Sequence, residues 1–153
     1  MKKTTLFFAM LFTLATAFAQ KEKLDIDYDR KTEIATVNGT QVFKIVRENN
    51  AGAFTYNIQN LEGKTLIIFK PVFYRDSRAV SQSNPQGSMS YHDIIFVDDT
   101  EIKADWVWLG MNQAVKLIYK NNLIKDGKVD IEAAKLFARI HGTVNYEKRM
   151  TAR

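Results

Sequence analysis

The stretch "EIATVNGTQVFKIV", residues 33–46, carries the strongest indication of the fold. Apolar and polar side chains alternate on both sides of Asn38-Gly39, as they do in half-buried strands. Asn-Gly is the preferred pair for a two-residue type I′ turn, because both turn positions need a positive φ. The stretch therefore predicts a β-hairpin and, with it, an antiparallel sheet.

Further segments on both sides of this hairpin predict more strands. Residues 21–29 and 54–58 alternate between apolar and polar side chains, and residues 91–97, "YHDIIFV", also have a strand pattern. The run "TLIIFK" at 65–70 is continuously apolar, which is typical of a strand buried on both faces. Pro71 has no N–H to donate to a ladder, so the "VFYR" that follows is predicted to be an edge strand or an exit from the sheet.

The C-terminal third has a helical period instead. Apolar residues from Trp108 to Tyr119 follow helical spacing, with Asn112 as a possible N-cap. Asp130 is placed to cap a second helix, "IEAAKLFARIH", which Gly142 would end. The segment "EIKADWVW" before the first helix fits either a last strand or the start of the helix. The polar, basic tail from Thr143 is expected to fray.

These elements predict an α+β fold. We expect an antiparallel β-meander of about six strands followed by two C-terminal helices packed on the sheet. The β-rich part would span residues 22–107 and the helical part residues 108–142, within one domain of residues 20–153. A small β-barrel capped by helices is the main alternative.

The first 19 residues have the pattern of an export signal. Lys2 and Lys3 precede an apolar run, and Ala17 and Ala19 supply the small side chains of an A-x-A cleavage site. The run is shorter than the roughly 20 residues that span a bilayer. Cleavage is therefore predicted between Ala19 and Gln20, giving an exported protein of the periplasm or cell exterior, with no membrane span after cleavage and no cysteine for lipidation.

Composition excludes several classes of function. The formal charge of +5 falls to +3 once the two signal lysines are removed, which is too little to predict nucleic-acid binding. Two histidines and no cysteine are a poor ligand set for zinc. The segment "DIDYD" resembles the start of a calcium loop, but it has Arg30 where the loop needs glycine and Thr36 where it needs a bidentate glutamate. No cofactor or metal is predicted.

A hydrolase or isomerase is one alternative function. Ser90 and His92 would share a face of their strand, and an acidic partner such as Asp76 could be brought to them. Acyl transfer also needs an oriented base and an oxyanion hole, and no "GxSxG" turn or equivalent is present. No catalytic residue is assigned from the sequence, and an enzyme is less expected than a non-catalytic protein.

The long polar segment at 75–90 and the aromatic residues near it point to a binding role instead. Binding residues concentrate in loops held by a rigid sheet, and large aromatic side chains often anchor recognition surfaces. The plainer interpretation is a mobile loop and two core tryptophans. The residues predicted to bind a ligand or partner are Arg75, Arg78, Tyr91, His92, Trp106 and Trp108.

The sequence thus predicts a small, exported, non-catalytic protein that binds a protein, a glycan or an envelope component. A structural protein that self-associates in the envelope is a further alternative.

Overall fold

A computed structural model describes residues 24–108 and 110–152. The predicted export signal at 1–19 lies outside the described residues. Seven strands form one antiparallel sheet in which every strand pairs with its neighbour in the sequence. The strands are β1 Ile26–Asp29, β2 Ile34–Val37, β3 Thr40–Asn50, β4 Ala53–Gln59, β5 Thr65–Arg75, β6 Ser88–Phe96 and β7 Lys103–Trp106.

The predicted α+β meander is confirmed. The sheet has one strand more than the six expected, because the ambiguous "EIKADWVW" segment contains β7. Its order runs from β1 to β7, so that within the described residues these two strands are open edges and the sheet is not a closed barrel.

Helices follow the sheet, as predicted. They are α1 Met111–Lys120, α2 Ile131–His141 and α3 Val144–Thr151, with a short hairpin of β8 Ile124–Lys125 and β9 Lys128–Val129 between α1 and α2. The expectation that the tail would fray is wrong: the helical segment continues to Thr151 after a bend at Gly142 and Thr143.

Local signals account for several of the element ends. Asn38 and Gly39 have φ of 51° and 76°, as a type I′ turn requires. The Asp130 carboxylate accepts a hydrogen bond from the N–H of Ala133 at 3.0 Å and begins α2. Gly142 ends that helix with a positive φ of 56°. The first helix begins instead after Gly110, so the prediction of Asn112 as its N-cap is wrong.

Pro71 marks the point where β5 loses one neighbour. Strand β5 pairs with β6 from Ile67 to its end at Arg75, but its pairing with β4 stops at Phe69. From Lys70 to Arg75 it is therefore an edge, as predicted for "VFYR", although it is continuous with the "TLIIFK" strand. A missing N–H is tolerated at such a position because no strand needs it.

The two faces of the sheet differ in character. Because strand residues alternate in direction, one face carries most of the apolar core, which α1 and α2 cover. The chain then crosses the β7 edge, where the N–H of Asp105 donates to the Gly142 carbonyl at 3.0 Å. Helix α3 lies beyond this crossing, against the second face. Side chains of β6 and β7 that point to the second face include Tyr91, Asp93 and Asp105.

Candidate functional site

The predicted binding residues lie in three different places. Arg75 and Arg78 lie at the end of the β5–β6 pair, whereas His92, Trp106 and Trp108 lie on the core-bearing face. Tyr91 points to the opposite face and is not part of the core cluster. The sheet thus separates Tyr91 from the residues with which the sequence grouped it.

The segment between β5 and β6 is held by its own hydrogen bonds. The Asn84 side chain donates to the carbonyls of Ala79 and Ser88 at 3.3 and 3.0 Å, and accepts from the N–H of Ser88 at 2.9 Å. Arg75 donates to the Gln86 side chain at 3.3 Å. This segment therefore has a defined conformation rather than an irregular one.

Arg78 is engaged by a carboxylate within the same segment. Its Nε and one terminal nitrogen both donate to Asp76 at 2.9 Å. These hydrogen bonds hold the pKa of the Asp76 carboxyl below its ordinary value. Asp76 is thus committed to Arg78 and does not contact His92.

His92 belongs to a cluster of aromatic rings on the core-bearing face. Tyr56 and Trp108 stack with their centroids 4.0 Å apart, and His92 lies 5.8 and 5.4 Å from them. His92 is 8% exposed, and its Nδ1 has no hydrogen-bond partner. Burial lowers the pKa of its imidazole, while the nearby backbone of Phe54 acts in the opposite direction. Burial therefore disfavours the protonated form of the ring.

A serine–histidine relay is not assembled among the described residues. Ser90 is exposed and pairs with Phe73 on the neighbouring strand. The Nδ1 of His92 has no hydrogen-bond partner, so no carboxylate orients the ring through this nitrogen. The described geometry offers no support for acyl-transfer chemistry.

Both tryptophans pack against the core. Trp106 meets the His141 ring edge-on at 5.3 Å, and His141 in turn lies 4.4 Å from Phe137. Trp108 contacts Phe69 in a similar edge-on arrangement. These contacts agree with the plainer interpretation of the two tryptophans as packing residues.

The second face carries a polar cluster beneath α3. The carboxylate of Asp105, whose residue is 3% exposed, accepts hydrogen bonds from the Asn145 side chain at 2.7 Å and the Tyr146 N–H at 2.8 Å. Arg149, one turn further along, lies over the Tyr146 ring at 4.5 Å and near the Tyr91 ring at 5.9 Å. These contacts hold α3 on the sheet.

Tyr91 is buried in this cluster with an unsatisfied hydroxyl. It is 1% exposed, and its Oη has no hydrogen-bond partner. Burial, with a further contribution from the charge of Asp93, raises the pKa of the phenol to about 12. Buried polar groups without partners are rare and call for an explanation.

Asp93 lies directly opposite Asp105 on the neighbouring strand. Burial raises the pKa of the Asp93 carboxyl and the charge of Asp105 adds to this effect, while Arg149 and Lys70 oppose it. Like charges in such opposed positions destabilise a strand pair. The Asp105 carboxylate is stabilised by its two hydrogen bonds, whereas Asp93 takes part in no ion pair within the described residues.

A cleft of about 520 Å³ opens beside Asp93, between the β6–β7 pair and the start of α3. We call it the Asp93 cleft. Its size is within the range of small-molecule sites, about 300–1,000 Å³. It is lined by Asp93, Ile94, Ile95, Thr100, Ile102, Lys103, Ala104, Thr143 and Tyr146.

Sequence reasoning did not find the Asp93 cleft. Alternation along "YHDIIFV" places Asp93 on the face opposite His92, but only the position of α3 turns that face into a concave site. The tail from Thr143 was expected to fray, so no helix was predicted to pack there.

Comparisons with known proteins do not assign the chain to a family. No family model matches it, and no curated protein sequence or solved structure matches it significantly. Within the described residues, no helix is both long and apolar enough to cross a bilayer. That part of the chain also contains no group of three or more histidine, aspartate or glutamate side chains arranged to hold a metal ion.

Proposed function

We propose that this chain is an exported, non-catalytic binding protein of the periplasm or cell exterior, and that it takes a small ligand in the Asp93 cleft. The observation that carries the proposal is a half-buried carboxylate without an ion-pair partner, beside the apolar walls of a concave site. Small-molecule sites typically combine apolar walls with a few polar groups that fix the orientation of the ligand.

Two strands, the turn between them and the start of α3 line the cleft. Residues of β6 and β7 border it on one side, the turn between these strands contributes Thr100, and Thr143 and Tyr146 lie at the start of the helix. The buried carboxylate of Asp105 holds that helix in place. Such a site needs little rearrangement to accept a ligand, which favours affinity.

The chemistry of the cleft favours binding over catalysis. Its polar lining consists of one carboxylate, one ammonium group and hydroxyl groups. Neither histidine is among the lining residues, and no nucleophile is paired with a base there.

Export rests on the leader at residues 1–19. Mass spectrometry of the protein purified from its native cell would measure the first residue of the product. We expect Gln20 as that residue. An intact leader on cytosolic material would contradict the export part of the proposal and leave the cleft unaffected.

Thermal unfolding in the presence of a mixed library of small metabolites tests the cleft. A ligand at ten times its Kd stabilises the fold by about 1.4 kcal/mol, or roughly 4–6 °C in Tm for a chain of this size. Thr100→Trp places a large side chain at the rim of the cleft and should abolish the shift. Thr40→Trp changes an exposed threonine outside the cleft and should preserve it. Binding that survives Thr100→Trp unchanged would refute the assignment of the site.

A further inference from the structure

Two charged side chains of opposite sign line the Asp93 cleft. Asp93 is half-buried on β6, and Lys103 is exposed on β7. Asp93 lies opposite Asp105, and Ile95 lies opposite Lys103, so Asp93 and Lys103 are diagonal neighbours on one face. Long side chains at such positions are within reach of one another.

These two side chains nevertheless do not pair. Within residues 24–108 and 110–152, neither takes part in an ion pair with the other or with any other residue. A carboxylate and an ammonium group therefore border the same cleft, both available to a ligand, with Ile95 beside them on the same face of the sheet.

We propose that the ligand of the Asp93 cleft is an α-amino-acid zwitterion, either a free amino acid or a short peptide with both termini free. Asp93 accepts hydrogen bonds from the ligand ammonium group, and Lys103 donates to its carboxylate. Charge-assisted hydrogen bonds of this kind are shorter and stronger than neutral ones. This inference rests on the proposed function, because it requires that the cleft binds a ligand.

The arrangement also predicts which side chains the ligand carries. The half-buried Ile95 offers apolar contact, and Thr100 and Thr143 also line the cleft. An apolar ligand side chain buries surface against Ile95, whereas a second charge would lie there without a partner. Leucine and other aliphatic amino acids are therefore expected to bind more tightly than aspartate or lysine.

Isothermal titration calorimetry of the purified protein provides the test. The 20 free amino acids and the dipeptide Leu-Leu are titrated one by one, which distinguishes a free amino acid from a peptide as the source of the zwitterion. The tightest binder is then compared with its amide, which lacks the carboxylate, and its N-acetyl derivative, which lacks the ammonium group. With the wild-type protein, each blocked derivative should bind at least tenfold more weakly.

Variants assign each end of the ligand to one residue. The Asp93→Asn variant should bind the N-acetyl derivative almost as tightly as the free ligand, but should still bind the amide more weakly. The Lys103→Met variant should bind the amide almost as tightly as the free ligand, but should still bind the N-acetyl derivative more weakly. Lys116→Met is the matched control, because Lys116 is exposed on α1 and does not line the cleft. It should preserve both discriminations.

The outcomes separate this inference from the proposed function. Suppose that library compounds bind the wild-type protein and lose binding in Thr100→Trp, but that amino acids and Leu-Leu do not bind. In that case the zwitterion inference is wrong and the cleft remains a binding site. Blocked derivatives that bind as tightly as the free zwitterion would also overturn it. If no compound binds in the cleft, both proposals fail.

Discussion

Asp105 is predicted to be the residue that holds α3 on the sheet. Thr143, at the N-cap position of α3, makes no side-chain capping hydrogen bond. Asp105, which lies on β7, caps the helix instead. Its carboxylate accepts hydrogen bonds from the Tyr146 N–H in the first turn and from the Asn145 side chain. The Asp105→Ala variant removes both acceptor oxygens at once.

The expected cost follows from these two contacts. A hydrogen bond to a charged group contributes about 1.5–3 kcal/mol, and loss of a helix cap costs about 0.5–2 kcal/mol. Removing Asp105 also relieves its repulsion of Asp93, which offsets part of the loss. We expect Asp105→Ala to lower the free energy of unfolding by about 2–4 kcal/mol, a large share of the roughly 5–15 kcal/mol of an ordinary domain.

Urea unfolding monitored by tryptophan fluorescence at pH 7 measures this loss, and hydrogen exchange of residues 144–151 localises it. Asp105→Asn keeps one oxygen acceptor and should lose about half as much. Asp98→Ala is the control, because Asp98 is exposed and forms a 3.4 Å ion pair with Lys64 that should contribute less than about 1 kcal/mol. A loss below about 0.5 kcal/mol for Asp105→Ala, with unchanged exchange in α3, would refute the reasoning.

Three further predictions concern other parts of the fold. Because burial lowers the pKa of His92, the unfolded chain binds its proton at a higher pH than the folded one. The free energy of unfolding should therefore fall as the pH drops below about 6.5, by up to about 1.4 kcal/mol per pH unit. Urea unfolding of His92→Gln at several pH values should lack this pH-dependent fall. Trp108→Ala removes the ring stacked on Tyr56 and should cost about 2–4 kcal/mol, with a matching fall in the urea midpoint; an unchanged midpoint would contradict the packing role. In Gly87→Ala the added Cβ would lie 2.2 Å from the Asp76 carbonyl oxygen, at a φ of +60°. This variant should open the segment at 76–88 to limited proteolysis, and a resistant variant would show that the segment accommodates the methyl group.

Local sequence signals predicted the elements of this fold well. Asn38-Gly39 specifies its turn through the conformation that both residues need, and Asp130 and Gly142 mark the ends of α2 through capping chemistry. These signals work because their cause lies within a few residues of the chain. The break in pairing at Pro71 is of the same kind, since it follows from a missing N–H.

The candidate site was much less predictable, because it depends on contacts between distant residues. Asp105 and Tyr146 are 41 positions apart, and neither position is unusual in the sequence. Alternation separates Tyr91 from His92 onto opposite faces, yet it does not say that a polar helix covers one of them. The predicted aromatic site was thus divided by the sheet, and the concave site lies on the face that carries Asp93, which the sequence analysis did not single out.

The buried hydroxyl of Tyr91 tests whether an unpartnered polar atom beneath α3 lowers the free energy of unfolding. A buried polar atom without a partner costs about 1–3 kcal/mol relative to an apolar replacement of the same shape. Tyr91→Phe removes only the unpartnered oxygen and keeps the ring against Tyr74 and Arg149. We expect urea unfolding to show an unchanged or higher free energy of unfolding, by up to about 2 kcal/mol. Tyr74→Phe, on the adjacent ring, serves as the control for changes in ring packing. A fall of more than about 1 kcal/mol in the free energy of unfolding of Tyr91→Phe alone would contradict this reasoning. It would mean that the hydroxyl has a hydrogen-bond partner and that its burial beneath α3 stabilises the fold.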